Sequence, residues 1–447
     1  MIPRISIWSY KREKMSSIEF SSNKYWREKQ QDFTASEIEK SFETGWEKHS
    51  PPFVSFLPDE NDLKKYKIWA ENLNNKNIDN LLVVGIGGSA LAGKTIKQYY
   101  APFSEKVVFW EGPHPQLMQR IAYLAETKNT ALLWISKSGK TLESVANLAL
   151  FRQFFPGVPE YFVTSKPEVL KNLNADEDKV FIIPDELTGR YSAISAVGLL
   201  PGYFLGANMD NFLKGFKEGL YKWDISNPLG ENGAKMAAVQ YHNLLTKGYK
   251  NIIFWIYARE LLTWGDWLIQ LWGESLGKKS DITAFPCAVR GPEAQHSLFQ
   301  YFLDSHNEFI HTFIHTDSYG THDTFIPDDI TGDSANHSLW DILQAQMKSI
   351  EAALTDKKRP VSEFLLPDIY GGELKTLKEN ENINRQFANM KFLGEWMAFW
   401  MCTVTYLGNL YDVNPFNQPA VELGKKHCRE YLKTGKITDA LEKNMEI

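Results

Sequence analysis

The chain has 447 residues, 43% hydrophobic and 23% charged, with a formal net charge of -6. That balance gives no electrostatic footprint for nucleic acid or an anionic membrane surface. Cys287, Cys402 and Cys428 are odd in number and far apart, which argues against a disulfide framework or a CxxC zinc site. No run of about 18 apolar residues occurs and the N-terminus lacks a signal peptide's apolar core, so a cytoplasmic protein of about two or three domains is expected.

Residues 1 to about 80 are polar and rich in Lys and Glu, and read as helices and loops packed outside a core. Short apolar runs then recur: LLVVGIG (81–87), KVVFWEG (106–112), ALLWISKSG (131–139), EYFVTS (160–165) and KVFIIP (179–184). Each is bounded by turn residues and followed by a helix-length interval, the pattern of strands buried on both faces of a parallel sheet. After a helical and loop-rich stretch from 192 to about 248, the rhythm resumes with NIIFWIYA (251–258), DITAFPCAVRG (281–291), EFIHTFIH (308–315) and VSEFLLP (361–367). Between the first two lies a helix with Leu261, Trp264, Trp267, Leu268, Leu271 and Trp272 at helical spacing. The prediction is an α/β protein of two tandem doubly wound parallel-sheet domains flanked by helices. The expected divisions are an N-terminal helix and loop segment at 1–55, α/β domains at 56–210 and 211–420, and a C-terminal helix at 421–447.

Gly88 to Thr95 satisfies the P-loop pattern of Gly, four residues and Gly-Lys-Thr. A P-loop also needs an acidic strand end for the Mg²⁺ shell, and the best candidate in this half of the chain is Glu111. Gly85, Gly87 and Gly88 crowd the strand-to-helix corner, where backbone N–H groups can cup a phosphate before the helix starts. Gly93, Lys94 and Thr95 then fall one turn or more inside the helix. A second loop, SKSGKTLES (136–144), carries four hydroxyls and two lysines, more than a capped helix start requires and what a phosphomonoester asks for. Two such loops on adjacent strands point to one phosphate held between them, with no nucleotide. His306, His311 and His315 have ligand-like spacing but no completing carboxylate or cysteine, so they read as strand-surface residues and no metal is expected.

Six segments in order, GIGGSALAG (85–93), SKSGKTLES (136–144), TGRYSAISAVGLLP (188–201), QLWGESLGK (270–278), GPEAQHS (291–297) and NPFNQPAVELGKK (414–426), resemble the glucose-6-phosphate isomerase family. The resemblance covers almost the whole chain, at bacterial-type length, and implies paired sugar-isomerase domains. It implies reversible conversion of glucose 6-phosphate to fructose 6-phosphate through ring opening and a cis-enediol, in glycolysis and gluconeogenesis. It further implies no cofactor and a homodimer with shared active sites. By the same resemblance Gly88 and Ser89 form the first phosphate-side corner, and Ser136, Lys137, Ser138 and Thr141 bind the sugar phosphate. Arg190 matches the arginine over the enediolate, Glu274 the carboxylate base, and Gln270 stands one helical turn before it. His296 matches the ring-opening histidine that reaches in from the partner subunit, and Lys425 the lysine at the ring oxygen, with Gln418 upstream. Lys140 and Ser144 stand where the family has threonines, Thr188 replaces the first glycine of Gly-Gly-Arg, and Glu293 sits near the histidine.

The chemistry agrees with these residue types. Moving a proton between neighbouring carbons requires one carboxylate, and partial burial of Glu274 on its aromatic-rich helix would raise its pKa toward working pH. Negative charge developing on the enediolate is best met by a guanidinium, which cannot lose its proton. Two other readings stand beside this one. A sugar-phosphate sensor on the same fold would lose Glu274 or His296, and this chain keeps both. A P-loop NTPase or kinase would place Lys94 on phosphate and require Mg²⁺.

Overall fold

The computed structural model describes residues 19–29, 34–171, 175–279, 282–316, 325–327, 334–367 and 389–435. After β1 (Glu19–Ser22), the first sheet is built from β2 (Asn80–Val84), β3 (Val107–Trp110), β4 (Thr130–Ile135), β5 (Glu160–Thr164) and β6 (Val180–Ile182). Its strands are all parallel, in the order β3-β2-β4-β5-β6. The second sheet holds β7 (Asn251–Ile256), β8 (Phe285–Arg290), β9 (Phe309–Thr316) and β10 (Val361–Leu366), in the order β1-β10-β9-β7-β8. Every apolar run read as a strand is one.

The continuous runs are explained by cover on both faces. In β2, Leu81 and Val83 face a core shared by the two sheets, and Leu82 and Val84 face a separate outer cluster. In β7, Ile252 and Phe254 join the same shared core while Ile253 and Trp255 face the outer cluster of the second sheet. The two sheets thus meet across one apolar interior. Helices Leu262–Leu276 and Met390–Leu410 contribute Trp264, Trp267, Trp272, Trp396 and Trp400 to it, each at most 1% exposed. No helix among the described residues is long and apolar enough to cross a membrane.

Two expectations are corrected. The N-terminal segment is not only helix and loop outside the core: β1 pairs antiparallel with β10, and Trp26, Phe42 and Phe53 are buried in the shared core. Single large apolar residues among Lys and Glu carry that burial, so average polarity conceals it. His311 and His315 are buried rather than on a strand surface, because β9 is a central strand flanked by β7 and β10. His311 accepts from Trp255 Nε1 at 3.2 Å, and burial, with Arg359 adding to it, pushes its imidazole down to about 3. The expected C-terminal helix is described over Val421–Thr434; its predicted remainder from 436 lies outside the described residues.

Candidate active site

The first sheet reverses strand order at β2, which lies between β3 and β4, so the loops leaving β2 and β4 open side by side at its carboxyl edge. After β2 the chain makes a 3-10 turn, Gly87–Ser89, and enters the helix Leu91–Tyr100. A Cβ on Gly88 would lie 2.4 Å from the carbonyl carbon of Gly189, so only glycine allows the backbone of the 188–192 segment to lie on this corner. Ser192 Oγ donates to the Gly189 carbonyl at 2.6 Å and fixes that turn. Gly87 approaches the Gln270 side chain, bringing in the helix Leu262–Leu276 as a third wall.

Gly93, Lys94 and Thr95 lie within the first turn and a half of the helix, nearer its start than expected. Lys94 forms an ion pair with Glu111 at 2.6 Å, and Thr95 is fully buried. The lysine of the P-loop pattern is therefore bound to the carboxylate that a Mg²⁺ shell would need.

The loop after β4 is held from below. The Lys137 carbonyl accepts from Ser165 N at 3.1 Å and from Thr164 Oγ1 at 3.1 Å, both at the end of β5. Within the loop, buried Ser136 donates to Thr141 Oγ1 at 3.2 Å, and Ser138 Oγ accepts from the Lys140 amide at 3.2 Å. Burial pushes the Lys137 ammonium below its ordinary value; Asp185 and Glu186 oppose this, and the cations Lys166 and Arg190 add to it.

Arg190 is 1% exposed and joins the walls. Its Nε donates to Ser275 Oγ at 2.7 Å, Nη1 to Glu274 Oε2 and Gln418 Oε1 at 2.9 Å each, and Nη2 to the carbonyls of Pro415 at 2.6 Å and Asn417 at 3.1 Å. A guanidinium has five N–H donors, and here all five are engaged. A buried charge is tolerated when it is paired and its remaining donors are satisfied, and both conditions are met. Glu274 accepts from Gln270 Nε2 at 3.1 Å through its other oxygen, and its side chain remains 33% exposed. The carboxylate is thus oriented from both sides while one face stays open to a ligand.

The structure brings Gly88, Arg190, Gln270, Glu274 and Gln418 together, with Ser136 to Thr141 on the neighbouring strand end. Two predicted residues stand apart. His296 is exposed at the C-cap of the short helix Gly291–Gln295 after β8, and Lys425 lies on a helix with no buried residue, paired with Glu422 at 2.7 Å. Neither bonds to Arg190 or Glu274. Sequence reading passed over Ser275, which also contacts Tyr191 Oη at 3.1 Å, and Lys278, whose Nζ donates to the Asn414 carbonyl. Adjacency to Glu274 was the available signal for Ser275; the carbonyls of Pro415 and Asn417 have none, because any residue supplies a carbonyl.

The paired doubly wound sheets set an oriented carboxylate against a fixed guanidinium, groups suited to an aldose–ketose isomerase. Residues 68–444 match the family described as Phosphoglucose isomerase, and the chain belongs to that family. It is 31% identical over 388 residues to the glucose-6-phosphate isomerase of Methanocaldococcus jannaschii, covering 85% of this chain and 89% of the relative. Two solved structures share the fold. One is a hypothetical protein of Thermus thermophilus with TM-score 0.76 and 24% identity, covering 93% of this chain and 100% of that one. The other is a glucose-6-phosphate isomerase of Chlamydia trachomatis with TM-score 0.65 and 20% identity, covering 91% and 80%.

Proposed function

We propose that the chain interconverts glucose 6-phosphate and fructose 6-phosphate in the crevice between Gly88, Arg190 and Glu274. The observation that carries the reading is the Arg190–Glu274 contact at 2.9 Å, with the second Glu274 oxygen held by Gln270. The loop hydroxyls of Ser136, Ser138 and Thr141, with Lys137 and the Gly88–Ser89 amides, take the phosphate. Glu274 removes the proton from one carbon and returns it to the next. Arg190 offsets the charge that develops on the enediolate oxygens. Lys425 assists at the ring oxygen, and Gln418 keeps Arg190 in place.

His296 opens the ring from a second copy of the chain, in a homodimer that acts in the cytoplasm. Its exposure, and its lack of any bond to its own chain's Arg190 or Glu274, support a role across an interface. The P-loop reading is not favoured, since Lys94 is engaged by Glu111.

The test is fructose 6-phosphate formation from glucose 6-phosphate in EDTA. Wild type turns over, and Glu274→Gln loses roughly 10²–10⁴ in rate, the worth of a positioned proton-transfer group, while still binding sugar phosphate. Wild-type rates in the variant would remove Glu274 as the base. No turnover in the wild type would leave the sensor reading.

A further inference from the structure

We propose that Lys278 is a positioning residue for the isomerisation: its ammonium fastens the 414–418 segment to the end of the Glu274 helix, keeping Gln418 and two carbonyls on Arg190. The inference rests on the roles given above to Arg190 and Glu274. The helix Leu262–Leu276 ends at the Gly277 cap, and Lys278 follows directly, half-buried, with Nζ donating to the Asn414 carbonyl. A cation here also complements the helix C-terminus.

The segment it grasps is a short strap whose job is geometric. Asn414 Oδ1 accepts from the Phe416 amide at 2.8 Å, which closes a turn. The Phe416 ring packs on Tyr191, with centroids 5.1 Å apart. Immediately beyond, Pro415, Asn417 and Gln418 supply three of the five acceptors on Arg190, and the Glu274 helix supplies the other two. Arg190 is thus clamped between two acceptor sets, and Lys278 ties one set directly to the other. Without that tie, only the packing of Phe416 on Tyr191 relieves Arg190 of holding the two sets apart, and the group meant to meet the substrate must also act as a brace.

Charge adds a second readout. Burial, then the Arg190 guanidinium, pushes Lys278 down to about 8, while Glu274 opposes. His49, flanked by Lys48 and Asp412, also lies within its field. A neutral amine still donates a hydrogen bond but grips the carbonyl less strongly than an ammonium does. The tie therefore loosens as pH rises through about 8, whereas an arginine at this position stays charged.

The experiment compares wild type, Lys278→Met, Lys278→Arg and Glu274→Gln for kcat, KM for fructose 6-phosphate, thermal midpoint and rate from neutral to alkaline pH. In Lys278→Met, kcat falls roughly tenfold to a hundredfold, the scale of a small misplacement in a site, with KM within about threefold and the fold intact by thermal midpoint. Lys278→Arg restores most of kcat and keeps its rate at alkaline pH where wild type declines. Wild-type kcat and an unchanged alkaline limb in Lys278→Met would overturn the proposal, as would a loss that follows only the unfolded fraction and is not rescued by arginine. Glu274→Gln separates the two readings: wild-type rate there removes the site assignment, while its collapse beside an unaffected Lys278→Met removes the Lys278 role alone.

Discussion

Nη1 of Arg190 stands 2.9 Å from Oε2 of Glu274, and the same nitrogen donates to Gln418 Oε1 at 2.9 Å. One guanidinium therefore orients the candidate base and anchors the C-terminal strap. Replacing it affects both. Arg190→Lys offers at most three donors to five acceptors and cannot reproduce the planar fork. The expected outcome is a kcat loss of roughly a hundredfold or more, with a lower thermal midpoint. Arg190→Met removes the buried charge and takes the donor from buried Ser275 Oγ and the Pro415 carbonyl, at a cost of about 1–3 kcal/mol, read by denaturant unfolding.

The Gly88 corner admits no side chain. A Cβ there would sit 2.4 Å from the Gly189 carbonyl carbon, which is backbone and cannot swing aside. Gly88→Ala must push the 188–192 turn away from the loop after β2. KM for glucose 6-phosphate is expected to rise and kcat to fall together, measured by steady-state kinetics. Wild-type constants would show that the corner is not part of the site.

Lys94→Ala discriminates against nucleotide chemistry. The Lys94–Glu111 pair is about one-third exposed on each side, and such pairs contribute about 1 kcal/mol or less. Isomerase turnover in the variant is expected at the wild-type level. A collapse of isomerase turnover would place Lys94 in the sugar-phosphate site, against the Glu111 pairing seen here.

Shared active sites are tested by subunit mixing. His296→Ala and Glu274→Gln are each expected to be inactive alone. If His296 serves the partner's site, dissociating and reassociating an equal mixture restores roughly a quarter of wild-type activity, because half the dimers are mixed and each carries one intact site. No recovery after verified exchange would place His296 in its own chain's chemistry or outside it.

His311 gives an acid-stability signature. Its imidazole is pushed from 6.5 down to about 3 by burial, so the folded chain keeps it neutral while the unfolded chain binds a proton. Its contribution is present above pH 6.5 and is lost as pH falls from there toward about 3, at up to about 1.4 kcal/mol per pH unit. His311→Gln keeps an acceptor for Trp255 and removes the titration. The variant's thermal midpoint is expected to fall less steeply with acid than that of wild type.

What could be read from the sequence follows a physical line. Runs such as LLVVG and NIIFWI are legible because central parallel strands must be apolar on both faces. β1 is not legible: Glu-Phe-Ser-Ser has one apolar residue, and its place is set by register against Ser362 to Leu365, more than three hundred positions away. His311 and His315 misled for a related reason, since burial of an imidazole depends on which strands lie on either side. In the site, Arg190, Gln270, Glu274 and Gln418 stood out by motif. The carbonyls completing the Arg190 cradle did not, because acceptor geometry is written in the path of the backbone.

The full engagement of Arg190 bears on which species the crevice prefers. With every N–H already matched to a protein oxygen, a ligand gains a donor only by displacing an incumbent. A neutral sugar hydroxyl is a poor competitor against a carboxylate or a short carbonyl contact, whereas an oxyanion competes well. In the proposed reaction the occupied cradle would act as a threshold, withholding its strongest bonds from the resting sugar and releasing them to the enediolate, which is the selectivity a catalyst needs.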